Sequence, residues 1–158
     1  MLPGKRSSST MPRRSTDGAE MAKYVIGPAA DLPPGQRLVT EVAGRKVVIF
    51  NLGGEFFGLF NRCPHQGGDL CMGRTTGLVE AGVEPGQYSY SRRGEILRCP
   101  WHGWEFDIRT GKSRAEPDRI RAKRYEVEVR PGKDLFDGPY QAETVPVFIE
   151  KDYLIVEA

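Results

Sequence analysis

Short apolar stretches separated by turn-forming residues run along the chain from Lys23 onward. Alternation of apolar and polar positions indicates β-strands, because successive strand side chains point to opposite faces. The alternation is clearest where Tyr125, Val127 and Val129 fall on one face and charged residues on the other. The strands predicted in this way are Gln36–Val42, Arg45–Asn51, Glu55–Phe60, Gln87–Arg92, Glu95–Arg98, Arg124–Arg130, Val145–Glu150 and Tyr153–Glu157.

Tight turns join many of these stretches and favour hairpins. The predicted hairpin turns are Ala43–Gly44, Gly53–Gly54, Arg93–Gly94 and Lys151–Asp152. No stretch longer than about ten residues shows a helical period, and Pro117 breaks the segment 115–123, which we predict to be a loop. The expected class is therefore all-β, a small antiparallel sandwich or barrel.

Composition supports this class and limits where the protein acts. The chain of 158 residues holds 19 glycines and 12 prolines, more than a helical bundle would contain. No apolar run approaches the roughly 18 residues of a membrane span, and none near the start resembles a secretory signal. Three cysteines are an odd number, which argues against a disulfide framework and fits a reducing compartment. We therefore expect a cytoplasmic protein without a membrane span.

The first twenty residues differ from the remainder of the chain. They are rich in Ser, Pro and Arg and contain too few apolar side chains to offset the entropy cost of ordering. We therefore predict a disordered tail over 1–20 and one domain over 21–158. The tail holds four of the 23 basic and two of the 21 acidic residues, so 21–158 has 19 of each and no formal net charge.

The candidate chemistry lies in two short blocks that contain both histidines of the chain. The first block is Cys63-Pro64-His65 and the second is Cys99-Pro100-Trp101-His102. Each block offers one thiolate and one imidazole on a proline-bearing turn that leads into glycine. Two Cys and two His also suit tetrahedral zinc, although zinc fingers usually pair Cys with Cys and His with His.

C-x-H followed by C-x-x-H, the second within CPWHGWEFD, resembles the Rieske [2Fe–2S] proteins. In that family two cysteines hold one iron and two histidines hold the other. The resemblance covers most of 23–158. It implies that Cys63 and Cys99 bind the inner iron and that His65 and His102 bind the outer iron. It also implies a Rieske-like antiparallel β base that carries a small cluster-binding subdomain over about 61–117.

The second block also bears on the reduction potential. Neutral imidazoles in place of thiolates raise the potential of such clusters to about −150 to +300 mV. Rieske proteins of respiratory cytochrome bc complexes resemble CTHLGC and CPCHGSxYD, with a linking disulfide and two hydroxyls bonded to cluster sulfur. Here Gly68 and Trp101 stand at the cysteine positions, Trp104 at the serine and Phe106 at the tyrosine. Because hydrogen bonds to sulfur stabilise the reduced cluster, we predict a potential in the lower third of this range.

CPWHGWEFD resembles the low-potential ferredoxins and oxygenase N-terminal domains of aromatic-ring-hydroxylating systems. The resemblance implies a soluble one-electron carrier between a reductase and a terminal oxygenase or similar enzyme. A Rieske subunit bound tightly within a larger oxidoreductase is the alternative, and a zinc-stabilised binding module is a remote one. Catalysis by this chain alone is not expected, since a two-histidine, one-carboxylate iron site needs histidines that the cluster already uses.

Three further features leave alternatives open. The 33 residues between His65 and Cys99 exceed the usual family spacing, and the excess at about 72–93 fits an elongated hairpin, either a surface insertion or a partner contact. Cys71 is expected to be a free thiol. The segment 109–124 holds seven basic and two acidic residues, either a solvated surface or a docking patch for an acidic redox partner. Nucleic-acid binding is not expected, because 21–158 is neutral.

Overall fold

The computed structural model describes residues 21–136, 138–142 and 145–158. Within these ranges the regular structure consists of strands and short 3-10 turns, which confirms the all-β class. None of the described helical segments is long and apolar enough to cross a membrane. The tail predicted over 1–20 lies outside the described residues. The strands are β1 (Lys23–Pro28), β2 (Arg37–Val42), β3 (Arg45–Leu52), β4 (Glu55–Phe60), β5 (Arg74–Ala81), β6 (Tyr88–Arg98), β7 (Glu105–Asp107), β8 (Arg124–Tyr125), β9 (Val127–Pro131), β10 (Tyr140–Gln141) and β11 (Asp152–Glu157).

These strands form three sheets. The outer sheet has the order β10-β1-β11-β9, the central sheet β2-β3-β4-β8, and the hairpin sheet β5-β6-β7. Neighbouring strands pair antiparallel, except that the two-residue β10 runs parallel to β1. The outer and central sheets form the antiparallel base that the sequence predicts, and the hairpin sheet belongs to the smaller part that carries the candidate loops.

Strand β3 lies between two hydrophobic clusters. Its side chains Val47 and Ile49 pack on one face with Leu154 of the outer sheet. Its side chains Val48 and Phe50 face the other cluster, which lies below the candidate loops. Full burial of one such side chain is worth about 1.5–3 kcal/mol. The β3 strand therefore joins the base to the floor of the site.

One hairpin prediction is wrong, and the difference lies in strand β6. Arg93–Gly94 is not a hairpin turn, because β6 continues through it and pairs with β5. The register of this pair shifts after Thr76, and Arg92 and Gly94 have φ values of 49° and 78° at the irregularity. Glycine at positive φ suits a β-bulge as well as a turn. The excess residues at about 72–93 do form an elongated hairpin, as predicted.

Two strand predictions in the C-terminal part of the chain are wrong. Val145–Glu150 is not a strand, and β11 pairs instead with β1 and β9. The Tyr153 hydroxyl accepts a hydrogen bond from the Phe148 N–H at 2.7 Å and donates to the Pro146 carbonyl at 3.2 Å, so a side chain replaces a partner strand. The stretch predicted as one strand over 124–130 is split, since β8 pairs with β4 and β9 with β11.

Candidate metal centre

The first loop, residues 63–68, connects the central sheet to the hairpin sheet. The Cys63 N–H donates to the Gly68 carbonyl at 2.8 Å, and the Gly67 N–H donates back to the Cys63 carbonyl at 2.8 Å. Gly67 has a φ of +87°, a conformation that residues with a Cβ rarely adopt. This turn leaves Cys63 buried and His65 exposed.

The second loop, residues 99–104, repeats this turn between β6 and β7. The Cys99 N–H donates to the Trp104 carbonyl at 2.8 Å, and the Gly103 N–H donates to the Cys99 carbonyl at 3.1 Å. Gly103 has a φ of +73°. Cys99 is buried and His102 is exposed, as in the first loop. The histidine of the second loop lies three positions after its cysteine, whereas that of the first loop lies two positions after.

The two loops meet at one end of the protein, which we call the tip (residues 63–68 and 99–104). The ring centroids of His65 and His102 lie 5.0 Å apart, with the rings nearly perpendicular at 86°. Trp104 lies against His65, with a centroid distance of 4.9 Å. Cys63 and Cys99 are buried and pack in one cluster. The structure thus brings together all four residues predicted for the site.

The surroundings of Cys63 suit a thiolate held by a cation. Burial raises the pKa of the Cys63 thiol, and the neighbouring Cys99 thiol raises it further. Hydrogen bonds from the main chain of His65 and Gln66 to Cys63 act in the opposite direction. Main-chain donors to sulfur are typical of iron–sulfur sites, and a bound iron would supply the positive charge that two adjacent thiolates require.

Gly68 keeps the space between the loops open. A Cβ at this position would lie 3.0 Å from the Trp101 ring and 3.1 Å from Cys99 Sγ. Both contacts are tighter than ordinary packing allows, so the loops approach this closely only because residue 68 is glycine.

The four donors lie at two depths, with both thiols buried and both imidazoles exposed. Two buried thiols and two exposed imidazoles fit a centre with two irons, each of which takes two ligands from the protein.

Apolar side chains surround part of the site. Leu70 and Phe106 are fully buried and pack in one cluster with Cys63 and Cys99. Trp104 is half-buried and packs against the same cluster. Trp101 instead has 60% of its surface exposed. The buried side chains therefore shield the sulfur side of the site, while one tryptophan lies on the outer surface of the tip.

Two anchors of the first loop were not predicted from the sequence. Buried Asn61 accepts a hydrogen bond from the Cys71 N–H at 2.6 Å and donates to Cys71 Sγ at 3.3 Å. Arg37 of β2 donates to the carbonyls of Cys71 and Gly73 at 3.0 and 2.7 Å. Cys71 forms no disulfide with a described residue, and its main chain is a fixed point of the loop exit.

Most of the basic segment 109–124 is neutralised by carboxylates. Arg109 bridges Glu55 and Glu95, and three other arginines of the segment are also ion-paired. Their pairs are Arg114–Glu105, Arg119–Glu116 and Arg124–Glu126. The predicted local charge is therefore much reduced, and Lys112, Arg121 and Lys123 have no ion pair with a described residue.

An all-β base with two matched Cys/His loops at one end is the architecture of a binuclear iron–sulfur protein with mixed ligation. Comparison with known families agrees with this class. Residues 22–126 match the family described as the Rieske [2Fe-2S] domain, and the chain belongs to this family. Its cofactor is accordingly a Rieske-type [2Fe–2S] cluster.

Similar proteins are ferredoxin subunits of dioxygenases. The biphenyl dioxygenase ferredoxin subunit of Pseudomonas sp. strain KKS102 is 30% identical over 105 residues, which cover 66% of this chain and 81% of the relative. The 3-phenylpropionate/cinnamic acid dioxygenase ferredoxin subunit of Escherichia coli K12 is 28% identical over 119 residues, which cover 75% and 96%. The ferredoxin of carbazole 1,9a-dioxygenase from Nocardioides aromaticivorans IC177 shares the fold, with a TM-score of 0.52 and 20% identity over 87% of this chain and 97% of that one.

Proposed function

We propose that this protein is a cytoplasmic one-electron carrier that accepts electrons from a reductase and delivers them to a terminal oxygenase or similar enzyme. Its relatives named as dioxygenase ferredoxin subunits support this role. The observation that carries it is the exposure of His65 and His102 at the tip, above two buried cysteines. A partner that contacts the tip meets the imidazoles first, so they offer the shortest route for an electron. The odd number of cysteines, three, is consistent with a reducing compartment.

In this proposal Cys63 and Cys99 bind the inner iron, and His65 and His102 bind the outer iron. When bound, a Rieske cluster takes up and releases one electron at a time. The binding part covers about 61–117 of a domain over 21–158. The depth of the two cysteines and the exposure of the two histidines support this division of roles.

The surrounding side chains exclude water and leave the cluster sulfurs with few hydroxyl donors. Leu70, Leu97 and Phe106 are fully buried around the cysteines. Neither Trp104 nor Phe106 carries a hydroxyl that could stabilise negative charge on sulfur. This supports a midpoint potential in the lower part of the range of about −150 to +300 mV.

The test is electron paramagnetic resonance of the dithionite-reduced protein, purified anaerobically, beside iron and sulfide analysis. We expect a rhombic signal with the low average g value of mixed His/Cys ligation. The signal should be lost or changed in His65→Cys and in His102→Cys. Cys71→Ser is the matched control, since it alters a cysteine of the same region that is not a proposed ligand, and it should keep the signal. A colourless, zinc-containing protein without this signal would overturn the proposal.

One observation favours tight assembly in a larger enzyme as a second candidate. The far part of the β5–β6 hairpin has a face of Val79, Tyr88 and Tyr90, all exposed, and Val79 is paired opposite Tyr90. Exposed apolar faces often mark protein contacts. If the protein is a subunit, it should co-purify with a partner at high salt. A carrier should bind only transiently, with an affinity that falls as salt is added.

A further inference from the structure

The two flanks of the tip differ in charge. A groove of about 420 Å³ runs beside His65, and its lining includes Arg62, Arg121 and Lys123 but no carboxylate. All three basic side chains are exposed. None of them forms an ion pair with any residue that the structure describes. We call this groove the His65 flank.

The groove beside His102 is similar in size but almost neutral. It has a volume of about 380 Å³, and its basic residues are Arg98 and Arg114. Glu105 lies between them and accepts from Arg98 at 2.7 Å, with Arg114 at 3.8 Å. This groove, the His102 flank, therefore retains about one positive charge where the His65 flank retains three.

The main chain that carries the charges of the His65 flank is held by hydrogen bonds. Arg121 and Lys123 lie on either side of Ala122, which is buried and donates its N–H to the Gly111 carbonyl at 2.8 Å. The Lys123 carbonyl accepts from the Phe60 N–H at 2.8 Å. Arg62 passes against Gly67 of the first loop. Because the main chain is already held, the ordering cost of docking at this flank is limited to the side chains.

We propose that the redox partner docks an acidic protein surface against the His65 flank, so that His65 rather than His102 faces the partner. The inference rests on the proposed electron-carrier function. It adds the charge of the partner's surface and the side of the tip that the partner contacts. Complementary charge raises the rate of encounter and fixes its orientation. A protein surface fits better than nucleic acid, because three cations span one small groove and 21–158 is neutral overall.

The experiment compares two double variants with the same change in net charge. Arg121→Gln/Lys123→Gln removes charge from the His65 flank, and Lys133→Gln/Lys151→Gln removes it from exposed positions in the base. Stopped-flow kinetics follow oxidation of the dithionite-reduced holoprotein by hexacyanoferrate(III), a small anion that stands in for acidic groups. At low salt the flank variant should react roughly 3–10 times more slowly than wild type, and the difference should shrink as salt is raised. The base variant should remain within about twofold.

A second measurement does not depend on electron transfer. Hexacyanocobaltate(III), an anion of the same shape that does not react, is titrated into ¹⁵N-labelled oxidised protein. Amide shifts should change at Arg121 and Lys123 and should be much smaller at Arg98 and Arg114. Repeating the kinetics with the cation hexaammineruthenium(III) should reverse the order of rates, so that the flank variant reacts faster than wild type.

The possible negative results contradict different claims. Equal rates for both double variants, or anion shifts centred on the His102 flank, would overturn the docking inference while the electron-carrier function stands. Strong binding of a single-stranded DNA oligonucleotide that the flank variant abolishes would replace the acidic protein by a nucleic acid. A wild-type protein that dithionite cannot reduce would instead contradict the proposed function itself.

Discussion

The two loops of the tip close with the same pair of main-chain hydrogen bonds, but they are fixed to the protein in different ways. The second loop continues a hairpin, because Arg98 and Glu105 are paired where β6 and β7 meet it. The first loop joins strands of two different sheets. Asn61 and Arg37 hold its exit from outside the loop. Two motifs that look equivalent in the sequence therefore depend on contacts of very different range.

The largest effect is expected at Gly68, the glycine at which the two loops lie closest to each other. Gly68→Ala places a Cβ 3.0–3.1 Å from Trp101 and Cys99 Sγ, whereas a Cβ at Gly103 meets no atom within 4 Å. We expect Gly68→Ala to lose more than about half of its bound iron and to be destabilised by about 1–3 kcal/mol. Iron and sulfide analysis with thermal unfolding measures both effects.

Gly103→Ala is the matched control for this prediction. Its φ of +73° imposes backbone strain of about 1–3 kcal/mol, but its side chain enters open space. The control should therefore lower the melting temperature and keep its iron. If Gly68→Ala and Gly103→Ala retain equal amounts of iron, the gap between the loops is not as tight as the structure indicates.

The next effect concerns the anchor of the first loop. Arg37→Met removes two charge-assisted hydrogen bonds to main-chain carbonyls, worth about 1.5–3 kcal/mol each at most. We expect a lower free energy of unfolding in urea and faster loss of the cluster. Arg74→Met is the control, because Arg74 is exposed and is not one of the donors to this loop. Similar behaviour of the two variants would show that the loop holds its shape without Arg37.

The same contrast explains how far the sequence could predict the structure. The four donor residues could be found because each loop is a local turn whose glycines and prolines are visible in the motif. Arg37 could not, since 34 and 36 positions separate it from the carbonyls it binds and nothing nearby in sequence marks it. Asn61 lies closer, but a buried asparagine has no distinct pattern.

The errors in strand prediction have a similar origin. Arg93–Gly94 has the composition of a turn, and only pairing with β5 reveals that the chain continues as a bulged strand. Val145–Glu150 has strand-like residues, but the Tyr153 hydroxyl supplies its hydrogen bonds. Local propensity describes a residue's own preference, while tertiary contacts decide between alternatives of similar energy.

A smaller effect is expected on the midpoint potential, when a residue close to the second loop is substituted. Phe106 is fully buried in the cluster of residues around both cysteines. Phe106→Tyr adds one hydroxyl, and a hydrogen bond to sulfur should raise the midpoint potential by some tens of mV, since about 59 mV corresponds to a tenfold change for one electron. Redox titration followed by EPR measures the shift.

Phe106→Leu is the control for that shift, because it changes the packing without adding a donor. Its potential should stay close to the wild-type value. A wild-type midpoint above about +150 mV on the Rieske scale would contradict the prediction of a low potential. Equal shifts in the tyrosine and leucine variants would assign the effect to packing rather than to the hydroxyl.

The smallest expected effect is a difference between the two loops in how low pH changes their stability. Glu95, in the strand that enters the second loop, accepts hydrogen bonds from Arg109 and Arg92, and these lower its pKa below the usual 4.5. Arg37 binds main-chain carbonyls of the first loop, which do not titrate. Glu95 lies on the strand that enters the second loop, so that side of the tip should weaken when Glu95 is protonated.

The sign of this dependence follows from the lowered pKa. The stabilisation by Glu95 is fully present above its unfolded pKa and is lost as the pH falls through the lower folded value. Glu95→Gln should therefore lose less stability than wild type between pH 7 and pH 3 in urea unfolding, with iron content checked at each pH. The difference should stay below about 1 kcal/mol, because these ion pairs are partly exposed. Identical pH profiles for wild type and Glu95→Gln would mean that β6 and β7 pairing alone holds the second loop.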